Sequence, residues 1–168
     1  FPFLREDGLL VMGAGLGLMT VATKFIKLCC TKKMLVFVLN GARRYDVIKT
    51  TLLADGVAPA DLPVLADSDM PVEERRQMYS AGGCFVATSR VLVVDLLRRA
   101  VDVGRVSGFL VLDAHRVHGA SLEAFVLRVF RRNDPAPVAV FAGQLLPGRA
   151  SGGARRVAAK AKAKAKAK

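Results

Sequence analysis

The stretch LLVMGAGLGLMT, residues 9–20, decides the fold class of this chain. A short apolar run passes through Gly13, Gly15 and Gly17 into a second apolar segment with helical spacing. A strand, a glycine-rich loop and a helix in this order are typical of phosphate-binding loops in α/β proteins. The sequence therefore raises the question of whether the loop binds a nucleotide.

The same alternation continues along the chain. Apolar runs rich in Val, Leu and Phe predict strands that are covered on both faces, at residues 9–13, 34–40, 84–89, 108–114 and 137–143. Helices are predicted between them, at residues 16–29, 44–53, 71–80, 91–101 and 121–132. Pro71 with two following acids, and Ser121 before Glu123, are helix-start signals. This pattern predicts an α/β domain over residues 1–143, a parallel sheet with helices on both faces and ligand sites at the carboxyl ends of the strands.

The positive charge is concentrated at the end of the chain. The formal charge is +12, but residues 149–168 hold three arginines, five lysines and no acid. Residues 1–148 therefore keep 18 basic and 14 acidic side chains, a net +4. We expect residues 144–168 to form a disordered, basic, low-complexity tail. A non-specific phosphate-binding arm, a solvated tail and an artefact of how the gene was delimited all remain open for it.

The cysteines and the longest apolar run exclude two other classes of protein. Cys29, Cys30 and Cys84 have neither a disulfide-framework pattern nor zinc-site spacing, so we expect core thiols in a reducing compartment. The longest uncharged run, 16 residues from Gly8 to Thr23, is shorter than the roughly 20 residues of a membrane helix. No membrane association is expected. Because the chain begins with Phe1 rather than Met, we expect a segment of a longer protein.

The glycine loop lacks the side chains of a working nucleotide site. Gly15 and Gly17 allow the tight backbone path, but Leu18 occupies the position of the phosphate-binding lysine. Met19 occupies the position of the magnesium-binding hydroxyl, and Thr20 comes one residue too late. A dinucleotide-binding interpretation is weak because the glycine spacing is one residue short. We therefore predict a degenerate nucleotide site that requires no cofactor.

A second motif supports the same prediction. VLDAHR, residues 111–116, resembles the D-E-A-H motif of superfamily 2 helicases. With Ala114 and His115 aligned, Leu112 replaces the magnesium-binding Asp, and Asp113 replaces the Glu that polarises water. Leucine cannot hold the metal that phosphoryl transfer needs. A metal site built from Asp113, His115 and His118 is disfavoured by their spacing, and a structural role for His115 and Arg116 is favoured.

Several segments together resemble the XPF family of structure-specific DNA repair endonucleases. They are DGLLVMGAGLGL, LVFVLN, GGCFVATSRVLVVDLL and DAHRVHGASLEAFVLRVFRR, within residues 6–133. The resemblance is to the family's N-terminal helicase-like region and implies the first lobe of a degenerate superfamily 2 helicase module with a RecA-like fold. It further implies nucleotide excision repair, a nuclear location, other excision-repair proteins as partners, and junctions between single-strand and double-strand DNA as substrate.

Other parts of the family pattern are absent from these 168 residues. The resemblance implies an E-R-K-x-x-x-D nuclease centre using Mg²⁺ or Mn²⁺, and helix–hairpin–helix domains that pair with a small non-catalytic subunit. This sequence contains no E-R-K-x-x-x-D stretch. Any endonuclease activity is therefore expected of a parent protein and not of this segment, for which we predict no catalytic residue.

The candidate DNA-binding residues come from the resemblance and from pairs of adjacent arginines. Thr88, Ser89 and Arg90 match a helicase-like loop that contacts the DNA backbone, although Ser89 is also a candidate helix cap. Before the tail, four adjacent arginine pairs occur, and each pair taken alone is more simply explained as solubilising surface charge: Arg43–Arg44, Arg75–Arg76, Arg98–Arg99 and Arg131–Arg132. Arg98, Arg99, Arg131 and Arg132 are added to the predicted set. A protein-interaction scaffold without DNA contact and an unorthodox ATP-dependent helicase lobe remain alternatives.

Overall fold

A single parallel sheet organises the protein. The computed structural model describes residues 8–13, 15–133 and 138–145. Its six strands are β1 (Gly8–Gly13), β2 (Leu35–Leu39), β3 (Val64–Ala66), β4 (Gly83–Ala87), β5 (Gly108–Val111) and β6 (Val138–Leu145). The strand order is β1-β6-β5-β2-β4-β3, and every neighbouring pair is parallel. The predicted α/β fold class is confirmed.

Helices cover both faces of this sheet. Helices α1 (Leu18–Cys29) and α2 (Tyr45–Ala54) pack on one face. Helices α3 (Val72–Ala81), α4 (Ser89–Leu97) and α5 (Leu122–Asn133) belong to the other face. None of the helices in the described ranges is long and apolar enough to cross a membrane. The helices and strands alternate along the chain as the sequence pattern predicts.

The differences from the predicted elements are local. Strand β3 was not predicted, because three residues that pair only with β4 at the sheet edge are too short to show a periodicity. Helix α4 begins at Ser89, two residues before its predicted start, and the preceding strand ends at Ala87. Strand β6 extends through Leu145, so the predicted domain boundary after residue 143 falls inside a strand. The predicted tail lies outside the described residues from residue 146 onwards.

Alternating side chains of the central strands build two separate cores. In β2, Leu35, Phe37 and Leu39 face α3–α5, whereas Val36 and Val38 face α1 and α2. Phe37 pairs in register with Phe85 on β4 and Phe109 on β5, and the ring centroids are 6.0 Å and 5.7 Å apart. Such continuous burial excludes charged side chains from the middle of the sheet, so polar chemistry is confined to the strand ends.

One ion pair is buried between α3 and α4. The Arg75 Nε and Nη2 atoms donate to the two Asp95 carboxylate oxygens at 2.8 Å and 2.6 Å, and Tyr79 Oη donates to Asp95 Oδ2 at 2.9 Å. Arg75 also donates to the main-chain oxygens of Asp67 and Met70. Burial and the neighbouring Asp95 carboxylate raise the pKa of Tyr79 far above its usual value. The interpretation of Arg75 as a surface charge is therefore wrong, because an acid one helix away neutralises it inside the protein.

Replacing Arg75 by Met should destabilise the fold strongly. The substitution keeps most of the side-chain volume but leaves the Asp95 carboxylate, which is 0% exposed, without a counter-charge. We expect the free energy of unfolding in a urea titration to fall by about 3–5 kcal/mol. Arg76→Met is the matched control: Arg76 is exposed, and its one ion pair among the described residues is with Glu73 at 3.3 Å, so a change below about 1 kcal/mol is expected. Equal losses in both variants would contradict this account of the ion pair.

Candidate nucleic-acid interface

An open cleft of about 700 Å³ lies at the carboxyl ends of β5, β2 and β4. Parallel strands deliver the residues that follow them to the same sheet edge, so the segments after β2, β4 and β5 meet there. The polar side chains that line the cleft are Asn40, Arg43, Arg44, Thr88, Ser89, Arg90, Asp113, Arg116, His118, Ser121 and Glu123. Four arginines against two carboxylates give this cleft a formal charge of +2 with neutral histidine.

The floor of the cleft is fixed by contacts between the ends of β2 and β5. Asn40 Nδ2 donates to the main-chain oxygen of Leu112 at 3.0 Å, and Arg44 Nη1 donates to Asp113 Oδ2 at 2.9 Å. Asn40 and Asp113 both have left-handed backbone conformations, with φ of 61° and 49°. Asn and Asp tolerate this conformation better than other non-glycine residues. The two short polar residues therefore turn the chain sharply at the strand ends and orient the cleft residues.

The glycine loop after β1 contributes to an adjoining cavity of about 550 Å³. Gly15 and Gly17 have left-handed φ angles of 81° and 72°, and helix α1 begins directly afterwards without a side-chain cap. Leu18 and Met19 line the cavity and also pack against the core beneath α1 and α2. Asp113 and His115 lie on its opposite side, and the buried His115 Nδ1 has no hydrogen-bond partner among the described residues.

Five of the six residues predicted for the degenerate nucleotide site thus lie together, and the sixth does not. Gly15, Gly17, Leu18, Asp113 and His115 line the 550 Å³ cavity. Leu112 is buried instead in the core on the α1–α2 face, where it packs with the β-sheet. Its side chain is uncharged and does not line the cavity, so this position supplies no metal ligand.

The three predicted residues Thr88, Ser89 and Arg90 lie at the start of α4 and make different contacts. Thr88 Oγ1 accepts a hydrogen bond from the Val91 amide at 3.4 Å and caps α4. Ser89 is buried, and its Oγ donates to Glu123 Oε1 at 2.8 Å. The interpretation of Ser89 as the helix cap is therefore wrong, because α4 starts one residue earlier than that role requires. Arg90 is exposed and lines the cleft.

Two further arginines join Arg90 at the cleft. Arg43 lies in a short 3₁₀ turn after β2, and Arg116 lies in another after β5. Both are exposed cleft residues, and the guanidinium groups of Arg43, Arg90 and Arg116 form no hydrogen bond or ion pair with another described residue. The sequence marked Arg43 only as one of several arginine pairs and assigned Arg116 a structural role. The three arginines share a cleft because of the order of the strands in the sheet, and that order cannot be read from the sequence.

The other predicted arginines lie at the opposite edge of the sheet. Helices α4 and α5 each lead from the carboxyl edge back to the amino edge, and Arg98 and Arg99 follow the end of α4. Arg131 and Arg132 occupy the last turn of α5. Helix α4 therefore separates Arg98 and Arg99 from Thr88, Ser89 and Arg90, and Arg131 and Arg132 lie at the far end of α5 from the cleft residues Ser121 and Glu123.

Burial, hydrogen bonds and a nearby histidine together set the pKa of the Glu123 carboxyl group. Burial alone would raise the pKa of its carboxyl group, but hydrogen bonds from its own amide and from Ser89 and Ser121, together with the nearby His118, lower the pKa overall. The carboxylate is therefore stabilised in its ionised form and holds Ser89 at the base of the cleft. No three His, Cys, Asp or Glu side chains within the described ranges lie close enough to bind a metal ion.

Comparison with solved structures establishes the class of protein. The chain matches the structure titled "Crystal structure of Pyrococcus furiosus Hef helicase domain" with a TM-score of 0.72 and 20% identity, over 95% of this chain and 34% of that one. No established family profile matches the sequence. At this identity the match shows the fold, which is that of a helicase-type RecA-like lobe.

Curated relatives then identify the family. DNA repair endonuclease XPF from Mus musculus is 36% identical over 132 residues, and DNA repair protein RAD1 from Saccharomyces cerevisiae is 31% identical over 159 residues. Each alignment covers 78% of this chain and 14% of the relative. The predicted relationship to the XPF family is confirmed: this chain is an XPF-type helicase-like region, and it spans about a seventh of the length of the relatives that it matches.

The lowered pKa of Glu123 predicts a pH-dependent contribution to stability. A carboxyl group whose pKa is lower in the folded state stabilises the fold above its unfolded pKa, roughly 4.3, and loses that contribution as the pH falls through the folded value. Between about pH 5 and pH 3, the free energy of unfolding should therefore fall less steeply for Glu123→Gln than for the wild type. Urea titrations at several pH values measure this slope. Ser89→Ala, which removes one donor and keeps the carboxylate, should give an intermediate slope, and parallel curves for all three proteins would refute the assignment.

Proposed function

We propose that this chain is an ATPase-inactive helicase-like lobe that binds branched DNA at the carboxyl-edge cleft and contributes to the assembly of an XPF-type repair nuclease. The names of its relatives support a role in DNA repair. Excision of damaged nucleotides, a nuclear location and partnership with other repair proteins are parts of this proposal. Cleavage itself belongs to the parent nuclease, since no catalytic residue is assigned to this segment.

The convergence of Arg43, Arg90 and Arg116 carries the proposal for DNA binding. These exposed guanidinium groups come from two 3₁₀ turns and the first turn of α4, and they line one cleft without an ionic partner among the described residues. Both carboxylates of the cleft are already engaged, Asp113 by Arg44 and Glu123 by Ser89. Arginine contacts with phosphate supply much of the affinity of proteins for DNA and position the duplex. The cleft therefore suits a segment of the sugar–phosphate backbone.

The adjoining cavity supports the proposed absence of ATP hydrolysis. Leu18 and Met19 present apolar atoms where a triphosphate needs a cation and a metal ligand. Asp113 is held by Arg44, and the buried Leu112 offers no carboxylate for the magnesium ion. Losing charge-assisted hydrogen bonds at two positions costs several kcal/mol of phosphate binding, by order of magnitude. This segment accordingly needs no nucleotide cofactor.

Removing cleft arginines should weaken junction binding specifically. We expect Arg90→Ala and Arg116→Ala to lower the affinity for a splayed-arm duplex and each to reduce the slope of log K against log salt by about 0.7–0.9. Fluorescence anisotropy at two or more salt concentrations measures both quantities. Arg98→Ala is the matched control, because Arg98 is exposed but lies at the opposite sheet edge. Its effect on affinity and slope should be smaller.

The same assay distinguishes the rival explanations. Deleting residues 149–168 should leave a preference for the splayed duplex over a blunt duplex. Equal affinity for both substrates, with all salt dependence lost on that deletion, would show that only the basic tail binds DNA. Unchanged junction binding by the Arg90 and Arg116 variants would instead favour the protein-interaction scaffold.

Restoring the glycine loop alone should not restore ATP hydrolysis. The double substitution Leu18→Lys with Met19→Thr returns the missing cation and hydroxyl, but Leu112 still cannot hold the metal. We expect phosphate release from ATP with magnesium to stay at background for the wild type and for this variant. Turnover by the wild type that disappears in Asp113→Asn would overturn the proposal and establish the unorthodox helicase alternative.

A further inference from the structure

We propose that Cys30 and Cys84 form a peroxide-sensitive thiol pair that closes reversibly to an intramolecular disulfide. This inference concerns the edge of the sheet opposite the DNA-binding cleft and does not depend on the proposed function. It assigns an oxidative modification site to residues that the sequence marks only as core thiols.

The fold brings together cysteines that are distant in sequence. Cys29 ends α1, Cys30 follows it, and Cys84 lies near the start of β4. All three are reduced and buried, as predicted, and all belong to the core on the α1–α2 face. Cys30 and Cys84 belong to the same buried cluster and line the same cavity, and each thiol group shifts the pKa of the other. Only Cys30 and Cys84 line a surface cavity of about 160 Å³, which gives a small oxidant access to this pair.

Geometry favours this pair over the two adjacent cysteines. Consecutive Cα atoms are about 3.8 Å apart, whereas disulfides usually join Cα atoms about 4.4–6.8 Å apart. A disulfide between Cys29 and Cys30 would therefore need distorted backbone geometry. Cys29 is also 1% exposed and does not line the cavity. Cys84, which lines the same cavity as Cys30, is the better partner.

The two thiols differ in their readiness to ionise. The hydrogen bond with Cys84 lowers the pKa of Cys30, against the opposing effects of burial and of Asp61. The same hydrogen bond, burial and the neighbouring thiols raise the pKa of Cys84 well above its usual value. Burial and the neighbouring Cys30 raise the pKa of Cys29 to about 11. Cys30 is also more exposed than Cys84, 8% against 2%, so we assign Cys30 as the attacking thiol and Cys84 as the thiol that resolves the product.

The reaction with hydrogen peroxide balances in two steps. The Cys30 thiolate attacks one peroxide oxygen, the O–O bond breaks, and the departing hydroxide takes a proton to become water. This forms a sulfenic acid on Cys30. The Cys84 sulfur then attacks the Cys30 sulfur, the S–O bond breaks, and the departing hydroxide takes the Cys84 proton to form a second water. The two sulfur atoms together lose two electrons, which reduce the peroxide.

Mass spectrometry of the full chain tests the proposal. Reduced protein is exposed to a titration of hydrogen peroxide, free thiols are blocked with N-ethylmaleimide under denaturing conditions, and intact and digested masses are recorded. We expect the loss of two hydrogen atoms, one maleimide adduct instead of three, and full reversal by dithiothreitol. Sulfinic or sulfonic acid on Cys30 without a cross-link, or a disulfide only between two chains, would overturn the proposal.

Three single variants identify which two sulfur atoms form the disulfide. Cys29 and Cys30 fall in the same tryptic peptide, so Cys29→Ala is needed to distinguish them, and this variant should keep the cross-link. Cys30→Ala should lose it. Cys84→Ala should also lose it and accumulate a sulfenic acid on Cys30, detected as a dimedone adduct. If Cys84→Ala does not fold, dimedone trapping in the wild type at short reaction times provides the same test, and an adduct on Cys29 instead of Cys30 would contradict the mechanism.

Discussion

Burial of the central strands on both faces is the constraint on which the rest of this structure depends. Strand β2 lies between β5 and β4, and all five of its side chains are buried, directed alternately to the α3–α5 and α1–α2 cores. A sheet of this kind has no room for unpaired charge, and the buried Arg75 is accepted only with Asp95, Tyr79 and two main-chain oxygens around it. Functional polar groups are therefore restricted to the two edges where strands begin and end.

The two edges have acquired different chemistry. At the carboxyl edge, the segments that follow three neighbouring strands carry exposed arginines. Leu18 and Met19, which follow the glycine loop, add apolar side chains in the adjoining cavity. The ion pair between Arg44 and Asp113 connects these regions, because it lines both the cleft and the cavity. Within the described residues, the carboxyl edge thus combines a basic rim with an apolar pocket, and the proposed binding of phosphates without hydrolysis rests on this combination.

At the amino edge, the same topology brings together two cysteines that no sequence motif connects. Helix α1 ends there and β4 begins there, so Cys30 meets Cys84 beside a small surface cavity. Arg98, Arg99, Arg131 and Arg132 lie at this edge too, away from Arg90. Sequence similarity to a DNA-binding family does not by itself indicate which basic residues act together. The direction of each helix relative to the sheet decides it.

The sequence by itself determined the strand–helix alternation, the parallel sheet and the departure of two segments from the nucleotide-binding motifs, because each depends on local periodicity or on the identity of single residues such as Leu18 and Leu112. It missed β3, whose three residues are defined only by pairing with β4. Tertiary structure alone decided that Arg75 is buried, that Thr88 and not Ser89 caps α4, and that Arg43, Arg90 and Arg116 share a cleft. These outcomes depend on strand order and helix direction, which bring together residues that are distant in the chain. A local sequence pattern therefore cannot predict them.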